Sequence, residues 1–164
     1  VHDVLSNGRK FRSFNVIDDY NREVIFIETD YSLKSSRVIW VLNHLSNKHG
    51  NAQIIRMDNG PEFISKELKC WCDKNEVALQ FIEPGRPMQN GYVERLNRTF
   101  REDVLNAYLF ETLEQLRILC DEWVYDYNHM KPHSALKGMV PAMIAKEQNA
   151  FNNTTKLIEK ISLN

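Results

Sequence analysis

The chain has too little cysteine for a disulfide framework, no apolar run long enough to span a bilayer, and almost no net charge. Its three cysteines are Cys70, Cys72 and Cys120. Cys70 and Cys72 would point to different faces of a helix, which argues against a shared metal, and all three read as reduced thiols of a cytosolic protein. No stretch approaches the ~18–20 apolar residues that a membrane helix needs. Val1-His2-Asp3-Val4 has neither the basic region nor the apolar stretch of a signal peptide. A net charge of −1 carries no signature of nucleic-acid binding, so any DNA contact must rest on local sites. No phosphate-cradling P-loop is present either. The chain starts on strand-like sequence without an initiator methionine and reads as a fragment of a longer protein.

What remains is ordinary globular material. The 164 residues fit one domain, 43% of them are hydrophobic, and a real core can form. Two β-rich runs, 11–17 and 24–28, flank the turn-forming cluster Asp18-Asp19-Tyr20-Asn21-Arg22 and read as antiparallel strands, with residues 1–5 as the stub of an earlier one. Ser32 or Ser35 can cap a helix running to about Lys48, with Val38, Val41, Leu42 and Leu45 on one face and Gly50 as its stop. The run 53–57 is a short buried strand that leads into Asp58-Asn59-Gly60.

Pro61 suits the first turn of the following helix, on which Ile64, Leu68 and Trp71 form a stripe. A strand over 77–82 precedes the loop Pro84-Gly85-Arg86-Pro87. A helix opening near Asn90 carries Tyr92, Leu96, Phe100 and Val104 on its apolar side. Thr112 and Gln115 form a capping box for a last long helix with Leu116, Leu119, Trp123 and Tyr127 inward. Trp40, Trp71 and Trp123 fall at helical core positions. Residues 1–145 form the domain; the tail, 146–164, is polar, weakly periodic and expected to fray. Antiparallel strands first and alternating α/β units after them imply a mixed α/β sheet with helices on its faces.

Two acidic residues stand out. Asp58 lies where a buried strand opens into a loop, the end of a strand at which α/β sheets bind ligands. By itself, Asp-Asn-Gly is also a common turn. Glu94 shares one helix face with Asn97, Arg98 and Arg101, opposite the apolar side. An isolated helix with such a face reads as merely solvated. The loop before it, Pro84-Gly85-Arg86-Pro87-Met88-Gln89-Asn90-Gly91, is rich in backbone-shaping and amide residues, and 35 residues separate the two carboxylates.

Asp58-Asn59-Gly60-Pro61-Glu62-Phe63, followed by the run from Pro84 through Asn97, resembles the second half of the DDE signature. The resemblance is to the OrfB-type transposases of bacterial insertion sequences, relatives of the retroviral integrases. Tyr127-Asn128 with Lys131-Pro132-His133 resembles that family's C-terminal Tyr-Asn…Arg-Pro-His motif, with Lys131 in the usual Arg position. The resemblance covers about residues 1–145. It implies a ribonuclease H-like fold with a five-stranded mixed sheet. It also implies DNA 3′-end cleavage and strand transfer by a metal site of three carboxylates holding two Mg²⁺ (or Mn²⁺) ions, with Asp58 and Glu94 as two of the ligands. DNA is the implied partner, on which copies of the chain assemble, in the bacterial cytoplasm.

Matching the first strand to the family puts the third carboxylate about two residues before Val1, with Asp3 the weaker alternative and Asp18-Asp19 in a strand-connecting turn. The fragment alone is then expected to be nearly inactive. Arg86, Gln89, Asn90, Asn97, Arg98, Arg101 and Lys131 are the expected DNA contacts, to phosphates rather than bases. His133 joins them only second to a structural role. Two alternatives stay open at this point: a ribonuclease H-like nuclease that only hydrolyses, and a non-catalytic core that binds DNA or oligomerises.

Overall fold

The computed structural model describes residues 1–60, 63–83, 90–152 and 160–163. Six strands and five α-helices follow in the order β1 (His2–Val4), β2 (Lys10–Asp18), β3 (Val24–Asp30), α1 (Ser35–His49), β4 (Ile54–Met57), α2 (Lys66–Lys74), β5 (Ala78–Phe81), α3 (Gly91–Phe100), α4 (Leu113–His129), α5 (Pro141–Asn152) and β6 (Lys160–Leu163). A π-helical turn, Arg101–Leu105, continues α3, and a short 3₁₀ turn, Ser134–Leu136, follows α4. No helix among the described residues is long and apolar enough to cross a membrane.

β2 is the organising strand. Alternation along it sends Phe14 and Val16 to one face, where they meet Val38, Val41 and Leu42 of α1 and Leu68 and Cys72 of α2. Phe11 and Ile17 go to the other face, against Val93, Leu96 and Phe100 of α3 and Leu113 and Leu116 of α4. A sheet buried on both faces stabilises the fold by roughly 1.5–3 kcal/mol for each large apolar side chain it covers. The result is three layers, with α1 and α2 on one side of a mixed sheet and α3 and α4 on the other, as the α/β reading expected.

The edges of β2 set the topology. β3 pairs antiparallel with β2 from Arg12 to Ile17, with one extra residue in β3 opposite Val16–Ile17. That occupies one edge along most of the strand. β1 (His2↔Arg12, Val4↔Lys10) and β6 (Val16↔Leu163, Asp18↔Ile161) must therefore share the other edge. β6 then pairs parallel with β4, and β4 with β5. The sheet has six strands rather than five, because the expected polar tail supplies β6 with Ile161 and Leu163 buried. Four residues are too few for periodicity to announce a strand.

Other boundaries moved for local reasons. Lys34, not a serine, precedes α1, and no side chain caps it. α2 starts at Lys66, where the Ser65 side chain accepts from the Leu68 N–H at 3.1 Å, so Ile64 lies outside the helix and 61% exposed. Phe63 and Cys72 take the inward places. On α3 the buried stripe is Val93, Leu96 and Phe100, and Tyr92 is turned outward. Trp40 is 48% exposed and stacks on His44, so it is not a core residue. The capping box at Thr112 and Gln115 forms as expected.

Leu163 is fully buried between β2 and β4. Leu163→Ala should cost about 2–5 kcal/mol in urea denaturation, while the exposed Ile118→Ala stays within about 0.5. Equal midpoints for the two variants would mean that β6 is not part of the sheet.

Candidate active site

Asp58 follows β4 directly. Ile55 and Met57 point into the α1–α2 layer, and Asp58, just past the end of the strand, lines a cavity together with Val1, Ser13, Phe14, Val38 and Phe63. One carboxylate oxygen of Asp58 accepts the Gly60 N–H at 2.9 Å, which folds the loop back and holds the side chain. Asn59 donates from its side-chain amide to the Ile82 carbonyl at 3.0 Å and ties this loop to the end of β5. The structure thus builds a braced turn with a half-buried carboxylate at the strand's C-terminal end.

Glu94 lies in the first turn of α3, exposed, and makes no hydrogen bond or ion pair among the described residues. The face it occupies is set by Asn97, three residues on. The Asn97 side-chain oxygen accepts from the Asn15 amide of β2 at 2.7 Å, so this face turns toward the sheet. Asn15 is fully buried, and its own side-chain oxygen has no partner among the described residues. Sequence reasoning missed Asn15. Its signal was a lone amide inside an otherwise β-prone strand.

The strand registers relate these groups. Val1 and Ser13 exchange two main-chain hydrogen bonds of 2.8 Å, so β1 runs out opposite Ser13. Leu163 of β6 sits between Val16 and Met57. One residue further along that register lies the position between Asn15 and Asp58. Asn15 carries Asn97 above it, and Glu94 is one helical turn away. Among the described residues, no three His, Cys, Asp or Glu side chains cluster closely enough to hold a metal ion. Asp58 keeps one carboxylate oxygen and Glu94 both without a partner among the described residues, and carboxylate oxygens are the donor type that a hard divalent cation takes together with phosphate and water.

The expected DNA contacts divide. Arg86 and Gln89 lie outside the described residues. Asn90 is buried, with its side-chain oxygen unpartnered among the described residues, and Arg98 is exposed. Arg101 is engaged within the chain, bonding the Asp3 carboxylate at 2.9 Å and the His2 carbonyl at 2.7 Å. That pair also accounts for Asp3. Lys131 bonds Asp103 at 2.6 Å, and Trp123 donates to the same oxygen at 3.0 Å. Burial opposes ionisation of Asp103, but the Lys131 and Trp123 bonds and the Lys131 charge outweigh it and hold the carboxyl below its ordinary value.

Comparison with known proteins agrees with this architecture. Residues 1–87 match one integrase core domain model and residues 75–141 a second. An uncharacterized protein of insertion element IS407 from Burkholderia multivorans is 37% identical over 92% of the chain and 54% of its own length. One of insertion element IS476 from Xanthomonas euvesicatoria is 35% identical over 88% of the chain and 42% of its own. The chain spans about half the length of the curated relatives it matches. The catalytic core of BIV integrase superposes with a TM-score of 0.68 at 18% identity, over 94% of this chain and 95% of that one. The HTLV-2 integrase core, solved with magnesium, gives 0.67 at 20%, over 88% and 90%. These likenesses establish a ribonuclease H-like fold.

Two outcomes test the geometry. Asn97→Ala should cost about 1–3 kcal/mol, because it strands the buried Asn15 amide, and a double-mutant cycle with Asn15→Ala should show coupling. Additive losses would mean that the two amides do not meet. The depressed Asp103 carboxyl contributes stability that is present above its unfolded value and lost as pH falls through its folded one. Lys131→Gln should flatten that part of the acid-unfolding curve.

Proposed function

Because the chain belongs to the integrase core domain family, on its insertion-sequence transposase branch, we propose that it is the catalytic core of a DNA transposase. In this reading Asp58 and Glu94 are two of three carboxylates that bind divalent cations for cutting and joining DNA strands. The observation that carries it is the Asn15–Asn97 hydrogen bond. It turns the Glu94 face of α3 toward the strand position that Asp58 borders from β4.

The third carboxylate fits the same place. Continued upstream in register, β1 would set the residue before Val1 opposite Phe14 and the one before that opposite Asn15. The second is the position beside Asp58. An aspartate there, two residues ahead of Val1, joins Asp58 and Glu94 beneath α3. Further continuation runs into Val16, whose edge is held by Leu163. The strand bearing the third ligand and the end of β6 therefore compete for one edge of β2.

Two bound divalent cations, when present, activate the attacking oxygen and stabilise the leaving one in an in-line displacement at phosphorus. The chain's own part is to hold ligands still. Gly60 fixes one oxygen of Asp58 and leaves the other available; Asn59 anchors the loop; Asn15 sets the rotation of α3 and hence the direction of Glu94. Exchange of one phosphodiester for another needs no nucleotide hydrolysis. The reading also implies that several copies assemble on DNA.

The test uses a protein extended upstream of Val1, assayed for joined as well as cut DNA. It should transfer strands with Mg²⁺ or Mn²⁺, whereas the 164-residue chain should be nearly inactive. Asp58→Asn and Glu94→Gln should each lower the rate by roughly 10²-fold or more, the equivalent of several kcal/mol of lost charge stabilisation. Amide exchange at residues 160–163 should speed up in the extended protein as β6 yields its edge. Full-rate joining by either substituted protein would overturn the assignment, and cutting without joining would make the enzyme a nuclease.

A further inference from the structure

A second polar cluster lies where the β2–β3 turn, the start of α3 and the segment after α4 meet. Arg22, in the turn, lays its guanidinium over the Tyr92 ring at 3.4 Å. Two of its nitrogens, Nε and Nη1, are buried and have no hydrogen-bond partner among the described residues. Its backbone is left-handed, with φ of 65°, a conformation that glycine or asparagine usually supplies and that is strained for an arginine. Tyr127, buried at the end of α4, meets the His133 ring edge-on at 4.7 Å. Asn128, next to Tyr127, is hydrogen-bonded to the Val24 backbone two residues after Arg22, which brings the turn and the end of α4 together. The charges of Arg95 and Arg22 both act on Tyr127 and His133.

The charges here do not cancel. Lys131 is paired with Asp103, but neither Arg22 nor Arg95 bonds a carboxylate among the described residues. His133 bonds the Tyr127 backbone. Because its Nε2 is buried without a partner, that bond runs through Nδ1. Three elements thus bring into one region two guanidinium groups with no carboxylate partner, and one imidazole nitrogen with no hydrogen-bond partner, among the described residues. Burial, then Arg95, Lys131 and Arg22, press the His133 pKa below its ordinary value. Burial pushes the Tyr127 hydroxyl up to about 12, against the pull of Arg95 and Arg22, so it stays neutral. Cationic nitrogens of one sign, those of Arg22 buried and without a partner among the described residues, favour an anion.

We propose that Arg22, Arg95 and His133 form a phosphate-binding site that holds one phosphodiester of the DNA backbone away from the carboxylates. The site rests on the transposase reading and adds a specific anchor to it. A backbone phosphate suits it better than a base, because no aromatic face is open for stacking: Arg22 covers Tyr92, and Tyr127 is buried. With a net charge of −1, the chain has no general attraction for DNA, and a local anchor of this kind supplies it. Nδ1 is already committed to Tyr127, so Nε2 donates to a phosphate oxygen only in the protonated ring. Binding therefore takes up a proton. The groups facing His133 are Arg22 from the turn, Arg95 from α3, Tyr127 from α4 and Lys131 beside it, with Asp103 drawn off by Lys131.

Binding of a short DNA duplex of arbitrary sequence to the chain is measured by fluorescence anisotropy across salt concentration. Arg22→Gln and Arg95→Gln should each weaken binding about tenfold and reduce the salt slope by about one. Arg22→Lys keeps the charge and should retain most of the affinity; Arg95 is exposed, so its replacement leaves the fold intact. Wild-type affinity should rise as pH falls toward the lowered His133 midpoint, and His133→Gln should abolish that rise. In NMR titrations, inorganic phosphate should raise the His133 midpoint and leave His44 and His129 unmoved. Unchanged affinity and slope in both arginine variants, or a stationary His133, overturns this site alone. No duplex binding by the wild-type chain at low salt overturns the transposase reading together with it.

Discussion

Everything else in the molecule leans on one constraint, the burial of β2 on both faces and along both edges. From Ser13 to Asp18 every residue is buried. A strand so enclosed needs helices above and below it and a partner on each side, and each main-chain group left unpaired would cost about as much as a lost hydrogen bond. β3 meets that need along one edge. The other edge is divided, and the division falls at Phe14 and Asn15. Asp58 borders this same stretch of β2, lining a cavity with Ser13 and Phe14, and Asn97, one helical turn from Glu94, bonds Asn15.

Buried polar contacts then orient the covering helices. Asn128 exchanges two hydrogen bonds with the Val24 backbone, at 2.8 and 2.9 Å, and pins the end of α4 to the start of β3. That bond fixes where Tyr127 and the segment leading to His133 emerge. Glu28, buried, is met by Arg37 of α1 at 3.0 Å, which joins the sheet to the opposite layer. Asn15 does for α3 what Asn128 does for α4. Apolar packing alone would let these helices rotate by small angles at little cost; the amides make one rotation the satisfied one. The proposed function depends on that rotation, because the two proposed sites draw on Glu94 and Arg95, neighbours in sequence.

Much of this was legible in the chain itself. Alternation in β2 and β3, the stripes on α1 and α4, the Thr112–Gln115 box and the Gly50 stop all depend on nearest neighbours or a single helical turn, and each formed where expected. Asp58 and Glu94 stood out for the same reason: each sits at a local landmark, a strand end and a helix start, within extended motifs. The helix phase at Tyr92 and Val93 was one residue off, because both are apolar enough for the core and only the sheet beneath chose between them. The start of α2 shifted because the Ser65 cap outweighed a stripe that Ile64 appeared to begin.

What tertiary structure alone decided was pairing across long distances. The assignment of Lys160–Leu163 to the middle of the sheet came from the vacant edges of β2 and β4, whose main-chain groups no local pattern in the tail reveals. The same holds for Arg101, whose helix face looked open to DNA until Asp3, 98 residues away, was found against it. It holds too for Arg22, an unremarkable turn residue until α3 and the segment after α4 close over it. Periodicity and capping are short-range and written in order along the chain. Edge partners and charge clusters are set by which surfaces meet after folding, and only the folded chain brings them together.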